Sequence, residues 1–229
     1  MITDFARYSR NTNAFSREEV EALRGKSVCV VGCGGLGGYV AMSLARFGVG
    51  RLTLVDGDVF DVSNLNRQLF CTENNLGKSK ALEAKQALSA VNGEVQVKAC
   101  MEMFSAESGA RLLSGCDAAV DCLDSIPARL VLEECCEGAQ IPLVHGAIGG
   151  FYGQVCCVFP GDALLHALYG GKSSAPPDNS AGNPPFTPQL VAAIQCSEVL
   201  KLLAGREGLL RKKLLIIDLL QNTFLTIDL

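Results

Sequence analysis

The stretch from Ser27 to Gln68, SVCVVGCGGLGGYVAMSLARFGVGRLTLVDGDVFDVSNLNRQ, constrains this chain more than any other. Val28, Val30 and Val31 form a short apolar β run that stops at Gly32. Glycines at 32, 34, 35, 37 and 38 let the backbone turn tightly and come close to a ligand. The spacing predicts a helix over roughly 36–47, whose free N–H groups and positive dipole end face that turn and suit a phosphate. A second strand, 52–55, runs into Asp56, 19 residues beyond Gly37, where a carboxylate can bond ribose hydroxyls. A ligand with a phosphate and a ribose is therefore expected here.

The rest of the chain extends this unit. A capping box, Ser16 with Glu19, opens a short helix to Leu23. Residues 57–76 form a long polar connection, a length that in a compact domain usually marks function. Then come a helix over 77–91, a strand over 94–99, a helix over 106–113, a strand over 118–120, a helix over 126–139 and a strand at 143–144. Such alternation predicts an α/β fold: a Rossmann-like, doubly wound and mainly parallel sheet. After residue 148 the pattern changes to a strand over 151–159, a Gly/Pro-rich loop over 161–189, a helix over 190–203 and a hairpin of 214–219 with 223–228. That second part is too small for an independent domain. The expectation is one domain over 1–229: an arm at 1–25, a nucleotide-binding part at 26–147, and an antiparallel sheet extension at 148–229.

Open α/β sheets bind ligands at the carboxyl ends of their strands. Those ends carry the glycine turn, Asp56 and Asp124, and between them fall Asn64, Arg67, Gln68 and Lys80. Two cations and two carboxylates around a phosphate cradle point to a nucleoside triphosphate with Mg²⁺, which takes oxygen ligands and keeps several waters. Each residue also has a plainer reading. Asp124 or Ser125 could cap the next helix, Lys80 could be solvated, and Arg67 could tie its loop. A nicotinamide dehydrogenase also fits Gly32, Gly34, Gly37 and Asp56, but the chain shows no hydride-transfer constellation after them. Of the two histidines, His145 reads as packed structure and His166 as surface. The usual P-loop pattern is absent from the first turn.

Composition narrows the field further. A net charge of −4 without a Lys/Arg block argues against nucleic acid as the main partner. No run approaches about 18 uninterrupted apolar residues, so no membrane helix is expected. The first residues, MITDFARYSRN, lack an apolar signal core, which points to the cytoplasm. Eleven cysteines contain no CxxC pair and mostly sit in apolar runs, so they read as small buried hydrophobes in a reducing compartment.

In order along the chain, RYSR at 7–10, GCGGLGG, LTLVDGD, SNLNRQ, GKSKA, DCLDS and PQLVAAIQCSEVLKLLAG resemble the ThiF/MoeB/HesA adenylyltransferases, relatives of ubiquitin-activating enzymes. The resemblance implies ATP-dependent activation of the C-terminal glycine of a small ubiquitin-like sulfur carrier ending in Gly-Gly, as an acyl-adenylate with release of pyrophosphate. It implies Gly35 beside the phosphates, Asp56 at the ribose, and Asn64 and Arg67 near the phosphates. Lys80 would hold phosphate charge through the transition state, and Asp124 would bind Mg²⁺. Asp58, Ser63, Gln68 and Ser125 complete the implied nucleotide set, and Arg10 would reach ATP from the second subunit of a homodimer. Two departures matter. The family's paired CxxC zinc ligands are replaced by DALLHAL at 162–168 and NTFLTIDL at the C-terminus, so no zinc is expected. No cysteine lies in 160–195, with Ser180 near the family's loop cysteine, so a separate protein is expected to supply sulfur. Two alternatives stay open: adenylation of another carboxylate, on a peptide or a tRNA, or a non-catalytic scaffold half of a heterodimeric enzyme.

Overall fold

The computed structural model describes residues 5–170 and 181–229. One sheet of eight strands runs through both halves of the chain: β1 Ser27–Val31, β2 Arg51–Val55, β3 Gln96–Cys100, β4 Ala118–Asp121, β5 Leu143–Gly149, β6 Tyr152–Val158, β7 Lys213–Asp218 and β8 Thr223–Asp228. Their spatial order is β3-β2-β1-β4-β5-β6-β7-β8. Strands β1 to β5 pair in parallel, and β5 to β8 pair antiparallel.

Strand β1 is buried at every residue, as a central parallel strand covered on both faces must be. Val28 and Val30 face one core layer, and Cys29 and Val31 face the other. The first layer is built with α1 Arg17–Leu23, α2 Gly37–Phe47, α3 Lys80–Val91 and α7 Phe186–Leu203. The second is built with α4 Ala106–Leu113, α5 Ile126–Ala139 and α6 Leu164–Tyr169. All the cysteines are free and ten are buried, so they pack as small apolar side chains. Among the described residues no helix is long and apolar enough to cross a membrane.

Local chemistry explains the element starts. Ser16 Oγ accepts the Glu19 amide at 3.2 Å while Glu19 Oε2 accepts the Ser16 amide at 2.6 Å, the reciprocal cap that the sequence predicts for α1. Gly48 ends α2 in the left-handed region at φ 98°. The N-terminal arm is pinned where Tyr8 lies fully buried against Gly48 and its hydroxyl accepts from Asn92 Nδ2 at 2.9 Å.

Several boundaries move. The helix expected from Gly77 begins at Lys80, because Ser79 takes the cap position and accepts the Leu82 amide. Strand β5 continues beyond Val144 to Gly149, since β6 pairs along its whole length. The connection 57–76 contains two 3₁₀ turns, Val62–Asn64 and Glu73–Asn75. The stretch expected as loop over 161–189 holds α6 and the first turn of α7; its residues 171–180, with Ser180, lie outside the described ones. His166, expected at the surface, is half-buried on α6 and bonded to two glutamates of α5.

Candidate active site

Because β2 and β4 flank β1 on opposite sides, the connections after β1 and β4 diverge and open a crevice at the carboxyl ends of the strands. A cavity of about 470 Å³ occupies that crevice, within the range of small-molecule sites. Its wall brings together Gly32, Gly34, Gly35, Asp56, Asp58, Ser63, Arg67, Gln68, Lys80 and Asp124 of the predicted set.

The glycine turn divides its labour. A Cβ on Gly37 would sit 1.8 Å from the Gly32 carbonyl oxygen, so Gly37 serves the docking of α2 on the turn and does not line the cavity. Gly32 itself needs φ 94° and abuts the Cys122 carbonyl. At Gly35 the nearest atoms to an added Cβ are Pro188 at 3.6 Å and Arg67 at 3.7 Å, which leaves this backbone open to a ligand.

Asp56 is anchored by both carboxylate oxygens, one accepting the Cys33 amide at 2.7 Å and the other the Asp58 amide at 2.8 Å. Burial raises its pKa, against the lowering effect of those two amides. Lys80 is only 8% exposed, so the solvated reading does not hold; its Nζ pairs with Asp58 Oδ2 at 3.0 Å. Arg67 is a loop tie and a cavity residue at once, with Nη1 donating to the Ser63 carbonyl and to Asn66 Oδ1, each at 2.9 Å. Gln68 is buried in the wall and its Oε1 has no hydrogen-bond donor among the described residues.

Asp124 is exposed in the wall and makes no hydrogen bond or ion pair among the described residues. The capping reading fails for both residues, since Ser125 occupies the N-cap of α5 without a side-chain bond. A carboxylate with no partner among the described residues is the type of oxygen ligand that Mg²⁺ takes, since the ion keeps several waters and binds through one or two carboxylates. Among the described residues no group of three or more His, Cys, Asp and Glu side chains is arranged to hold a metal ion unaided.

Four predicted residues lie elsewhere, Gly37 at the start of α2 being the first. Asn64 is buried as a turn cap, its Oδ1 accepting the Asp61 amide at 3.1 Å, and is not in the wall. Ser125 and the exposed Arg10 are not in the wall either. The sequence reading missed Arg129, Met103, Gly149 and Asn183, which do line the cavity. Arg129 has a cue in the sequence: it falls in the first turn of the helix that follows Asp124.

The ThiF family model matches residues 8–229. The chain is 36% identical over 214 residues to adenylyltransferase and sulfurtransferase MOCS3 of Danio rerio, a match covering 91% of this chain and 46% of that protein. It is 33% identical over 230 residues to SAMP-activating enzyme E1 of Haloferax volcanii, covering 98% and 85%. The chain thus spans about half of the MOCS3 relative and most of the archaeal one. Escherichia coli MccB, crystallised with MccA-N7isoASN, superposes with a TM-score of 0.81 at 21% identity over 99% of this chain and 72% of that one, which shows a shared fold. The chain belongs to the ThiF family.

Proposed function

We propose that this protein activates the C-terminal glycine carboxylate of a small ubiquitin-like sulfur carrier by adenylation. The observation that carries the reading is the convergence of Arg67, the buried Lys80 and Asp124, which has no partner among the described residues, on one cavity beside the open glycine turn. The names of the two relatives, an adenylyltransferase and an E1 activating enzyme, support the same chemistry.

In this reading the carrier carboxylate oxygen attacks the α-phosphorus of ATP and forms the acyl-phosphate bond. The bond to the bridging oxygen breaks, and its electrons leave with pyrophosphate. No general base is required, because the nucleophile is already an anion. The protein's share is to position the reactants and stabilise charge. Arg67 and Lys80 take up negative charge on the phosphates, Asp56 and Asp58 face the ribose side, and Asp124 holds Mg²⁺, which when bound neutralises phosphate charge. Arg10 would come from a second copy of the chain. Sulfur would come from a separate protein, since residues 160–195 contain no cysteine.

Carrier-dependent exchange of labelled pyrophosphate into ATP tests this. Exchange is expected with a carrier ending in Gly-Gly and is lost when its last glycine is removed. Exchange driven instead by a peptide without a ubiquitin-like body would move the assignment to peptide carboxylates, and no exchange with any carrier under saturating ATP and Mg²⁺ would overturn it.

A further inference from the structure

Behind the cavity wall lies a cluster of buried charge that the adenylation scheme does not use, and of Asp121, His145 and Arg129 only Arg129 reaches the wall. Asp121 ends β4 fully buried, and its Oδ1 accepts the Leu123 amide at 2.9 Å. Arg129, in the first turn of α5, donates from Nη2 to the Leu123 carbonyl oxygen at 2.7 Å. Both backbone groups of Leu123 are therefore held by side chains of opposite charge. Those side chains also face each other, with Arg129 Nε 3.7 Å from Asp121 Oδ2.

A third residue locks the pair. His145 on β5 is fully buried, with Nδ1 2.6 Å from the same Asp121 oxygen. With Nδ1–H donating to that carboxylate, Nε2 is left as the acceptor for the Tyr169 hydroxyl, 3.1 Å away. From the other face Gln195 of α7 donates to the Asp121 carbonyl at 2.8 Å. A single turn is thus gripped from β4, β5, α5 and α7.

Satisfying one peptide does not call for this much buried charge, because Leu123 is partly exposed and water could serve it. Buried ion pairs contribute little net stability, and their best-attested use is to fix a geometry. The next residue in the chain is Asp124, whose carboxylate has no bond of its own among the described residues. Its aim into the cavity is set through the backbone alone. We propose that Asp121, Arg129 and His145 are positioning residues that clamp the Leu123 peptide and so aim the Asp124 carboxylate. This rests on the reading of Asp124 as the carboxylate that holds Mg²⁺.

The test is ATP affinity measured by calorimetry, once in EDTA and once in Mg²⁺, on the full chain. The wild type is expected to gain affinity from Mg²⁺, and Asp124→Asn to lose that gain. Arg129→Gln and His145→Leu should cut the gain about tenfold or more, as residues behind a metal ligand do, and His145→Leu, at a residue outside the cavity wall, should leave metal-free binding unchanged. His145→Asn, which restores a donor at the Nδ1 position, should recover most of it. If a disrupting variant does not fold, Arg129→Lys and His145→Asn carry the comparison, since each keeps one of the lost donors and should lie between wild type and Asp124→Asn. If Asp124→Asn keeps the gain, the magnesium reading itself fails. If Asp124→Asn loses it while the Arg129 and His145 variants keep it, the clamp alone is wrong. Equal loss in EDTA and in Mg²⁺ for Arg129→Gln would make Arg129 a direct charge contact and overturn its positioning role.

Discussion

Lys80 is the residue on which the charge balance of the site turns. It is buried at the start of α3, and Asp58, its partner in the structure, is 60% exposed at the side chain. An ammonium ion held out of water beside a solvated carboxylate is poised to exchange that partner for a phosphate. Lys80→Ala is therefore expected to lower pyrophosphate exchange by about 10²–10³-fold, the scale of losing one charge-stabilising donor, with a small change in melting temperature. Unchanged exchange would remove Lys80 from the proposed chemistry. The glycine turn offers a second residue-scale contrast. Gly37→Ala forces a methyl group to within 1.8 Å of the Gly32 carbonyl, so the helix start must shift, at a cost of about 1–3 kcal/mol. Gly35→Ala meets nothing closer than 3.6 Å and should leave the melting temperature alone while weakening ATP binding, because its methyl occupies the face left open to a ligand. Equal destabilisation by the two changes would mean that both glycines serve packing. The motif spacing makes the turn legible as a unit, but it does not separate these roles, which depend on what lies across from each Cα.

At the scale of elements, α6 shows where local sequence stops informing. Its N-cap, Ala163, has no capping side chain and sits at φ 46°. Its first turn is held instead by Glu133 of α5, whose carboxylate accepts the Leu165 amide at 2.7 Å and the His166 amide at 2.9 Å. A helix capped from 30 residues away leaves no trace in its own letters, whereas α1, capped by its own Ser16 and Glu19, is readable directly. The first turn of α7 was hidden for a different reason. Pro185 and Pro188 read as loop, yet the opening turn of a helix is where proline's missing N–H is harmless. The central strands were legible because burial on both faces writes a continuous apolar run. Arg129, Asp121 and His145 were not, since Asp121 meets the other two only after β4, β5 and α5 have come together. The α6 clamp also makes a pH prediction. The hydrogen bond to Glu133, helped by Glu134, holds the His166 pKa above its ordinary value. A raised histidine stabilises the fold fully below its unfolded value of about 6.5 and loses that contribution as pH rises through the folded value. The melting-temperature gap between wild type and His166→Gln should therefore be widest near pH 5.5 and narrow by about pH 8.5. A gap that widens with pH would mean that the imidazolium does not hold α6.

At the scale of the whole molecule, the arm and the cavity lie at opposite ends of the sheet. Tyr8 seats the arm against Gly48, Asn92 and Glu94, where β2 and β3 begin, while the cavity opens where β1, β2 and β4 end. The five-residue strands between them span about 16 Å, more than an arginine side chain covers. Arg10, two residues beyond Tyr8, therefore cannot serve its own cavity while the arm stays seated, and a second copy related by a two-fold axis would have to bring it there. The consequence is quantitative. Arg10→Ala and Lys80→Ala should each be nearly inactive in pyrophosphate exchange. Mixed and allowed to exchange subunits, half of the dimers carry one of each chain. In such a dimer one cavity has an intact Lys80 and receives an intact Arg10, while the other has lost both. Recovery should therefore approach about one quarter of wild-type activity per site at full exchange. Differently tagged chains establish that mixed dimers form. If they form and activity stays at the level of the separate variants, Arg10 does not act across the two-fold axis, and the arm must leave its Tyr8 seat to reach ATP within one chain or play no part in the reaction.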